Sequence, residues 1–224
     1  MTLTQKVVKQ ITPFMKTKGF LRKGNMFFYF ANDIAFCIGF EMPSGLVYVT
    51  AYIMPLYIPS ECINYAYSTR LNDTLWSPLS LLNKMNCNED ILKQWCADFY
   101  KCMDAYVLPL YKQMQNPKRM LPAVQRGLLF TPVQLCMTPL DCARLKMYTH
   151  LYWGNYAKFT SSANAYRRML MRCKHYTAEY CQSHIAEIDK LETLTKENEQ
   201  AVADYLAGII EETKKLFETK PQRT

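Results

Sequence analysis

The chain has 224 residues, of which 50% are hydrophobic and 21% are charged, and its formal net charge is +8. The apolar fraction excludes an intrinsically disordered chain, and only seven glycines exclude a collagen-like one. No apolar stretch reaches the roughly 18 residues that a membrane-spanning helix needs. The opening MTLTQKVVKQ also lacks the apolar region of a signal peptide. The sequence therefore predicts a cytoplasmic protein without membrane association.

The first sixty residues predict a helix followed by an antiparallel meander. Apolar residues recur at helical spacing near the start, and Gly19 is a suitable residue to end this helix. Three β-branched and aromatic runs follow, at residues 26–30, 34–41 and 46–53. The turn signals Asn32-Asp33 and Pro43-Ser44-Gly45 separate these runs, and such short connections join antiparallel strands. The sequence also allows a fourth strand around residues 63–69 but does not decide whether it forms.

The chain changes character at Asn88, which predicts the start of a helix because two acidic residues follow it. Thr138-Pro139 predicts another helix start, with that helix reaching about Trp153. At least two long helices follow, with a boundary expected near Thr193–Thr195. The predicted fold class is α+β, with an N-terminal helix and small antiparallel sheet before a larger helical part. The predicted domains are residues 1–87 and 88–224, with one continuous domain as the alternative.

The C-terminal helical stretch carries an apolar seam at one heptad position. Its members are Ile188, Val202, Ile209 and Leu216. The polar residues Thr195 and Asn198 interrupt this seam, which favours an amphipathic helix packed on its own domain. The alternative is an intermolecular coiled coil, which would make the C-terminal helix a homo-oligomer contact.

Positive charge is concentrated in residues 105–178, which contain eleven Lys or Arg and a single acid, Asp141. Residues 179–224 are acidic, with ten acids against six bases. One interpretation is a solvated basic helix face that is balanced by the acidic C-terminal helix beside it. The other is an anion-binding surface for nucleic acid or an acidic protein. Under the nucleic-acid alternative, the phosphate-binding residues are Arg119, Arg126, Arg167, Arg168, Arg172 and Lys174.

The basic run is densest between Tyr166 and Tyr176. If this run is helical throughout, the spacing places Arg168, Arg172 and His175 on one face. The neighbouring tyrosines are candidates for stacking on bases, and equally for core packing.

Motifs for catalysis or metal binding are not recognisable in the sequence. Gly19 and Gly24 have the spacing of a phosphate loop, but Asn25-Met26 stands where that motif needs Lys and Ser or Thr. Among Cys173, His175, Cys181 and His184, helical geometry puts the last two on one face but makes the first two point apart, whereas structural zinc sites use two tight pairs. We therefore predict no catalytic residues, no metal and no cofactor. The sequence leaves enzymatic activity open but favours a protein that is not an enzyme.

The nine cysteines are odd in number, and none forms a Cys-x-x-Cys pair. Several of them stand among apolar residues, as Cys37 does between Phe36 and Ile38. This pattern predicts free thiols that pack as small hydrophobic side chains.

The segment Lys18–Phe28, KGFLRKGNMFF, resembles the opening of an uncharacterised bacterial family of unknown function, whose consensus there is close to GFKKKGNTF. The resemblance covers residues 5–60, and this chain departs from it by Met-Phe-Phe in place of Thr-Phe and by a long helical tail. It implies an N-terminal helix, an antiparallel sheet and then helices, with no known catalytic residues. It also implies a small bacterial protein, sometimes encoded near toxin–immunity or defence genes.

Two functions from different classes are compatible with the sequence. The favoured one is a non-catalytic protein-interaction module, such as an immunity-like factor or an accessory subunit of a bacterial defence assembly. Its partner would be another protein, with the long C-terminal helix as the docking face. The alternative is a nucleic-acid-binding accessory protein that uses the basic surface of residues 105–178.

Overall fold

The computed structural model describes residues 1–63, 67–73, 79–126 and 138–218. It confirms the α+β class: an N-terminal helix and an antiparallel sheet precede a larger helical part. The strands are β1 (Leu21–Lys23), β2 (Met26–Ala31), β3 (Ile34–Glu41), β4 (Leu46–Pro55), β5 (Tyr67–Arg70) and β6 (Leu82–Asn83). The α-helices are α1 (Leu3–Thr17), α2 (Glu89–Cys102), α3 (Leu108–Met114), α4 (Pro117–Arg126), α5 (Pro139–Tyr152), α6 (Tyr156–Arg172), α7 (Ala178–Glu197) and α8 (Glu199–Glu218).

The chain forms two compact units. The described parts of the N-terminal unit are residues 1–55, 67–73, 79–126 and 218, and those of the C-terminal unit are residues 56–63 and 138–217. Helices α2, α3 and α4 thus belong to the same unit as the sheet. The expectation that residues 1–87 and 88–224 form separate domains stays a prediction.

The sheet of the N-terminal unit runs in the order β1-β2-β3-β4-β5, all antiparallel, and β6 pairs with β4. The predicted turn between β2 and β3 is confirmed, with Asn32 and Asp33 both at positive φ, 50° and 58°. Two such residues give the twist that matches a tight hairpin. The possible fourth strand around residues 63–69 forms over Tyr67–Arg70 as β5. Residues 64–66 lie outside the described part of the chain.

Strand β3 is the centre of the apolar core, because all its residues from Ile34 to Phe40 are buried. A continuous apolar run of this kind is typical of a strand that is covered on both faces. On β3, Phe36 packs against Tyr111 of α3 with ring centroids 4.9 Å apart, and Phe40 packs against Phe99 of α2 at 5.7 Å. The Tyr111 hydroxyl donates to the Cys37 carbonyl oxygen at 2.6 Å, which anchors α3 to the strand.

A π-helical turn over Met103–Val107 connects α2 to α3. Pro109 lies in the first turn of α3, where a residue without an N–H group is tolerated. The extra residue of a π turn also changes which side chains face the core. Tyr106 is exposed, whereas Met103 and Val107 are buried.

The C-terminal unit begins with the predicted capping residues of α5. Thr138 accepts from the Asp141 backbone N–H at 3.2 Å, and the Asp141 carboxylate accepts from the Thr138 N–H at 3.0 Å. This reciprocal capping box confirms the helix start. Residues 56–63 join this unit through Tyr57, whose ring stacks on Tyr152 at 4.3 Å. The Tyr57 hydroxyl also lies 3.1 Å from Thr149 Oγ1.

The predicted helix boundary near Thr193–Thr195 is wrong. Helix α7 runs through both threonines, whose hydroxyls donate to the carbonyl oxygens of Asp189 and Glu192. The boundary lies at Asn198, which is extended and whose Oδ1 accepts from the backbone N–H of Ala201 to cap α8. Threonine hydroxyls can be satisfied inside a helix, so they did not end this one.

The apolar seam is divided between two helices rather than lying on one. Ile188 belongs to α7, whereas Val202, Ile209 and Leu216 belong to α8. Ile188, Val202 and Ile209 are buried within the single chain, as packing on the chain's own domain predicts. A homo-oligomer contact through the C-terminal helix stays a prediction.

Candidate functional site

The most exposed part of the basic run lies where α6 leads into α7. Helix α6 ends at Arg172, because Cys173 adopts an extended conformation with its N–H bonded to the Leu170 carbonyl oxygen. The prediction that His175 shares a helix face with Arg168 is therefore wrong: the helix ends first. Arg168 and Arg172, one turn apart on α6, do share a face and are both exposed.

Apolar and aromatic side chains accompany these cations. Met171 exposes 72% of its surface, and Tyr176 exposes 37%. The Tyr176 ring stacks on Tyr180 of α7 at 4.6 Å, and Tyr180 in turn contacts His184. We call this region the α6–α7 surface. It consists of Arg168, Met171, Arg172, Lys174, Tyr176 and Tyr180.

Arg167, although predicted as a phosphate-binding residue, is occupied by acids of α7. Its Nη2 donates to Asp189 Oδ1 at 2.7 Å and to Glu192 Oε2 at 3.0 Å. The hydrogen bond to Glu192, followed by that to Asp189, raises the pKa of Arg167 despite partial burial. This side chain therefore holds α6 against α7. At Arg167, the acidic C-terminal region thus neutralises the basic run through direct ion pairs.

The remaining predicted residues divide between the two units. Arg168, Arg172 and Lys174 are exposed, and none makes an ion pair within the described ranges. Arg119 is exposed on α4 of the N-terminal unit, and Arg126 is the last residue of that helix. The assignment of all six residues to phosphate binding stays a prediction.

A partly buried polar cluster lies in the C-terminal unit, centred on Glu187. Its carboxylate accepts from Arg144 Nη2 at 3.1 Å, from the Tyr148 hydroxyl at 2.5 Å and from His184 Nδ1 at 3.0 Å. Burial raises the pKa of Glu187, but the hydrogen bond from His184 and the charge of Arg144 outweigh burial and lower it to about 2.

This cluster does not have the properties of a general acid–base pair. An efficient base has a pKa near the working pH, whereas Glu187 is held near 2 and its oxygens already have donors. Burial and the neighbouring Glu187 charge raise the pKa of Tyr148 well above its ordinary value. Both groups keep one protonation state at neutral pH. The cluster is therefore structural: it ties α5 to α7.

A groove in the N-terminal unit was missed by the sequence analysis. Its volume is about 1230 Å³, and its walls come from the first turns of α1 and the start of α2. Four lysines line it, and we call it the lysine groove. The lysines are Lys6, Lys9, Lys84 and Lys93. Lys6 and Lys9 lie one turn apart on α1. This spacing was the only local feature of the sequence that could have indicated the groove.

Other kinds of site are not found among the described residues. No group of three or more His, Cys, Asp or Glu side chains there is placed to hold a metal ion. Across the same residues, no helix is both long enough and apolar enough to span a bilayer.

No protein-family model, curated protein or solved structure matches the chain. The resemblance of residues 18–28 to an uncharacterised bacterial family stays a prediction.

Proposed function

We propose that the protein is a non-catalytic interaction module that contacts another protein through the α6–α7 surface. One observation supports the proposal above the others: an exposed methionine, a pair of stacked tyrosines and three exposed cations all fall within residues 168–180. Tyr, Met and Arg are the residue types enriched where proteins bind one another. The positive charge favours a partner with an acidic face.

The finer proposal is an immunity-like factor or an accessory subunit of a bacterial defence assembly. It is supported by the resemblance of residues 18–28 to the bacterial family. Inhibitors that occupy a nuclease by imitating nucleic acid carry negative charge. The exposed positive charge of Arg168, Arg172 and Lys174 argues against that kind of immunity factor.

A photo-crosslinking experiment in the native host tests the main proposal. A photoreactive amino acid replaces Met171, and a matched control carries it at Leu21, an exposed apolar residue of β1 in the N-terminal unit. We expect one protein to be crosslinked from position 171 and not from position 21. The crosslink should weaken about tenfold when Arg168→Ala and Arg172→Ala are added, the loss expected from about 1.4 kcal/mol of binding energy. Equal crosslinking from both positions would refute the docking face.

A nucleic-acid-binding function is the second candidate, and the stacked pair Tyr176 and Tyr180 favours it. Aromatic side chains beside cations are the usual platform for single-stranded nucleic acid, since bases stack on the rings while phosphates meet the charges. Such binding weakens steeply with salt, with a log–log slope of about −0.7 per phosphate for single strands and −0.9 for duplexes.

Fluorescence anisotropy of labelled single- and double-stranded oligonucleotides at low and physiological salt tests this candidate. The triple variant Arg168→Ala, Arg172→Ala, Lys174→Ala should lower the slope by about two for a single strand, if all three side chains contact phosphates. The control is Lys196→Ala with Lys215→Ala, exposed lysines of α7 and α8. A slope that the triple variant leaves unchanged would rule out this surface as the phosphate site.

A further inference from the structure

We propose that the lysine groove of the N-terminal unit binds an acidic polypeptide segment, whose carboxylates meet the lysines and whose apolar side chains enter between α1 and α2. This site does not rest on the α6–α7 surface, which belongs to the other compact unit. It would give the protein a second place to bind a partner.

The charge of the groove is the first support for this site. Lys6, Lys9, Lys84 and Lys93 are exposed, and Glu89 is the single acid in the lining. None of these lysines makes an ion pair within the described residues, whereas Lys18, which follows the last residue of α1, pairs with Asp104 at 2.6 Å. The groove thus presents four positive charges against one negative charge, which favours an anionic ligand.

The apolar part of the lining is the second support. Met1, Pro13 and Met42 offer apolar surface in the wall, and Met1 is 72% exposed, whereas Leu3 and Leu92 are each only 7% exposed. A ligand that carries only phosphates or carboxylates leaves this apolar surface uncovered. A segment with alternating acidic and apolar side chains satisfies both the lysines and the apolar lining.

The size of the groove favours a chain segment. Small-molecule pockets measure roughly 300–1,000 Å³. The groove, at about 1230 Å³, is larger than this range. A nucleic-acid backbone presents no apolar side chain for Pro13 and Met42, and a flat bilayer surface cannot enter a concave site. The observations therefore favour an acidic polypeptide.

Anisotropy with the full chain and a defined probe tests this assignment. The probe is a fluorescein-labelled peptide of about sixteen residues that repeats Glu-Leu-Glu-Glu, in about 0.15 M salt. The groove variant is Lys6→Gln, Lys9→Gln, Lys93→Gln. The matched control is Lys16→Gln, Lys112→Gln, Lys118→Gln, which removes three exposed lysines of the same unit that lie outside the groove. All six side chains are exposed, so both variants should fold, which circular dichroism checks.

We expect the wild type and the control variant to bind the peptide within about twofold of each other, and the groove variant about tenfold more weakly. A peptide with Ser in place of Leu should bind the wild type about threefold more weakly, since the apolar contacts are lost. The α6–α7 triple variant should bind as the wild type does, which separates this test from that of the proposed function.

Three results would overturn the assignment. The first is no binding of the peptide by the wild type, and the second is equal binding by the groove variant and the wild type. The third is a labelled oligothymidine of about twenty nucleotides that binds more tightly than the peptide and depends on the same lysines. That third result would make the groove a nucleic-acid site.

Discussion

Replacing Glu187 by Gln is the most direct test of the partly buried polar cluster in the C-terminal unit. The substitution keeps the shape of the side chain and removes its charge. Arg144 is then left with a guanidinium that is only 19% exposed and has lost its counter-charge. The Nε of Arg144 is already buried without a hydrogen-bond partner among the described residues, so little else can compensate.

The expected magnitude follows from the pKa of Glu187. Lowering the pKa from the ordinary 4.5 to about 2 stabilises the folded state. At about 1.4 kcal/mol per pH unit, this amounts to about 3 kcal/mol at neutral pH. Because the folded-state pKa is the lower one, this stabilisation is fully present above about pH 4.5. It is lost as the pH falls through the folded-state pKa of about 2.

Urea unfolding measured from pH 7 down to pH 3 gives the required comparison. At pH 7, Glu187→Gln should lower the free energy of unfolding by about 3 kcal/mol. The difference from the wild type should shrink steadily below about pH 4.5, because the Glu187 carboxyl of the unfolded wild type then takes up a proton while the folded one, with a pKa of about 2, stays charged. The control is Glu212→Gln, an exposed residue of α8, which should change the free energy by less than about 0.5 kcal/mol.

Two results would refute this reasoning. One is a loss at pH 7 no larger than that of Glu212→Gln, which would mean that Glu187 is not engaged as its three hydrogen bonds indicate. The other is a difference that stays constant from pH 7 to pH 3, which would mean that the loss comes from shape rather than charge.

Three further predictions concern stability and thiol chemistry. Tyr111→Phe should lower the free energy of unfolding by about 2 kcal/mol in urea titrations, since the Tyr111 hydroxyl donates to the Cys37 carbonyl and accepts from the Tyr52 N–H; a loss below about 0.5 kcal/mol would contradict it. Gly154→Ala should lower the free energy of unfolding by about 1 kcal/mol in the same assay, because Gly154 has a φ of +66°, which strains an alanine. No clash adds to this strain, since nothing crowds the Cβ position. A neutral result would mean that the turn shifts. Iodoacetamide labelling of the native protein, read by mass spectrometry, should modify the exposed Cys62 and spare Cys37, because burial shields the Cys37 thiol and raises its pKa. Labelling of Cys37 at the rate of Cys62 would show that the sheet opens.

The sequence predicted the local elements of this fold well, because their signals are local. Asn32-Asp33 specifies a hairpin by its tolerance of positive φ, and Thr138-Pro139 specifies a helix start by capping chemistry. Elements fixed by weaker signals were placed less well. The boundary between α7 and α8 moved from Thr193–Thr195 to Asn198, because a hydroxyl can bond inside the helix and an extended asparagine can end it.

The predicted site shows the same division between local and distant information. The sequence identified a basic run, but it did not tell which cations are neutralised. Arg167 meets Asp189 and Glu192, more than twenty residues away, while Arg168 next to it is exposed. Which of two adjacent arginines faces a neighbouring helix depends on how α6 packs on α7.

By itself, the sequence determined the α+β class, the positions of most turns and caps, and the concentration of positive charge in residues 105–178. Only the tertiary structure decided which charges are exposed and which are paired. It also brought Lys6 of α1 and Lys93 of α2 to one groove, although most of the N-terminal unit separates them along the chain. The physical reason is that hydrophobic periodicity and capping act within a few residues. Charge pairing and concave surfaces arise when distant elements pack together.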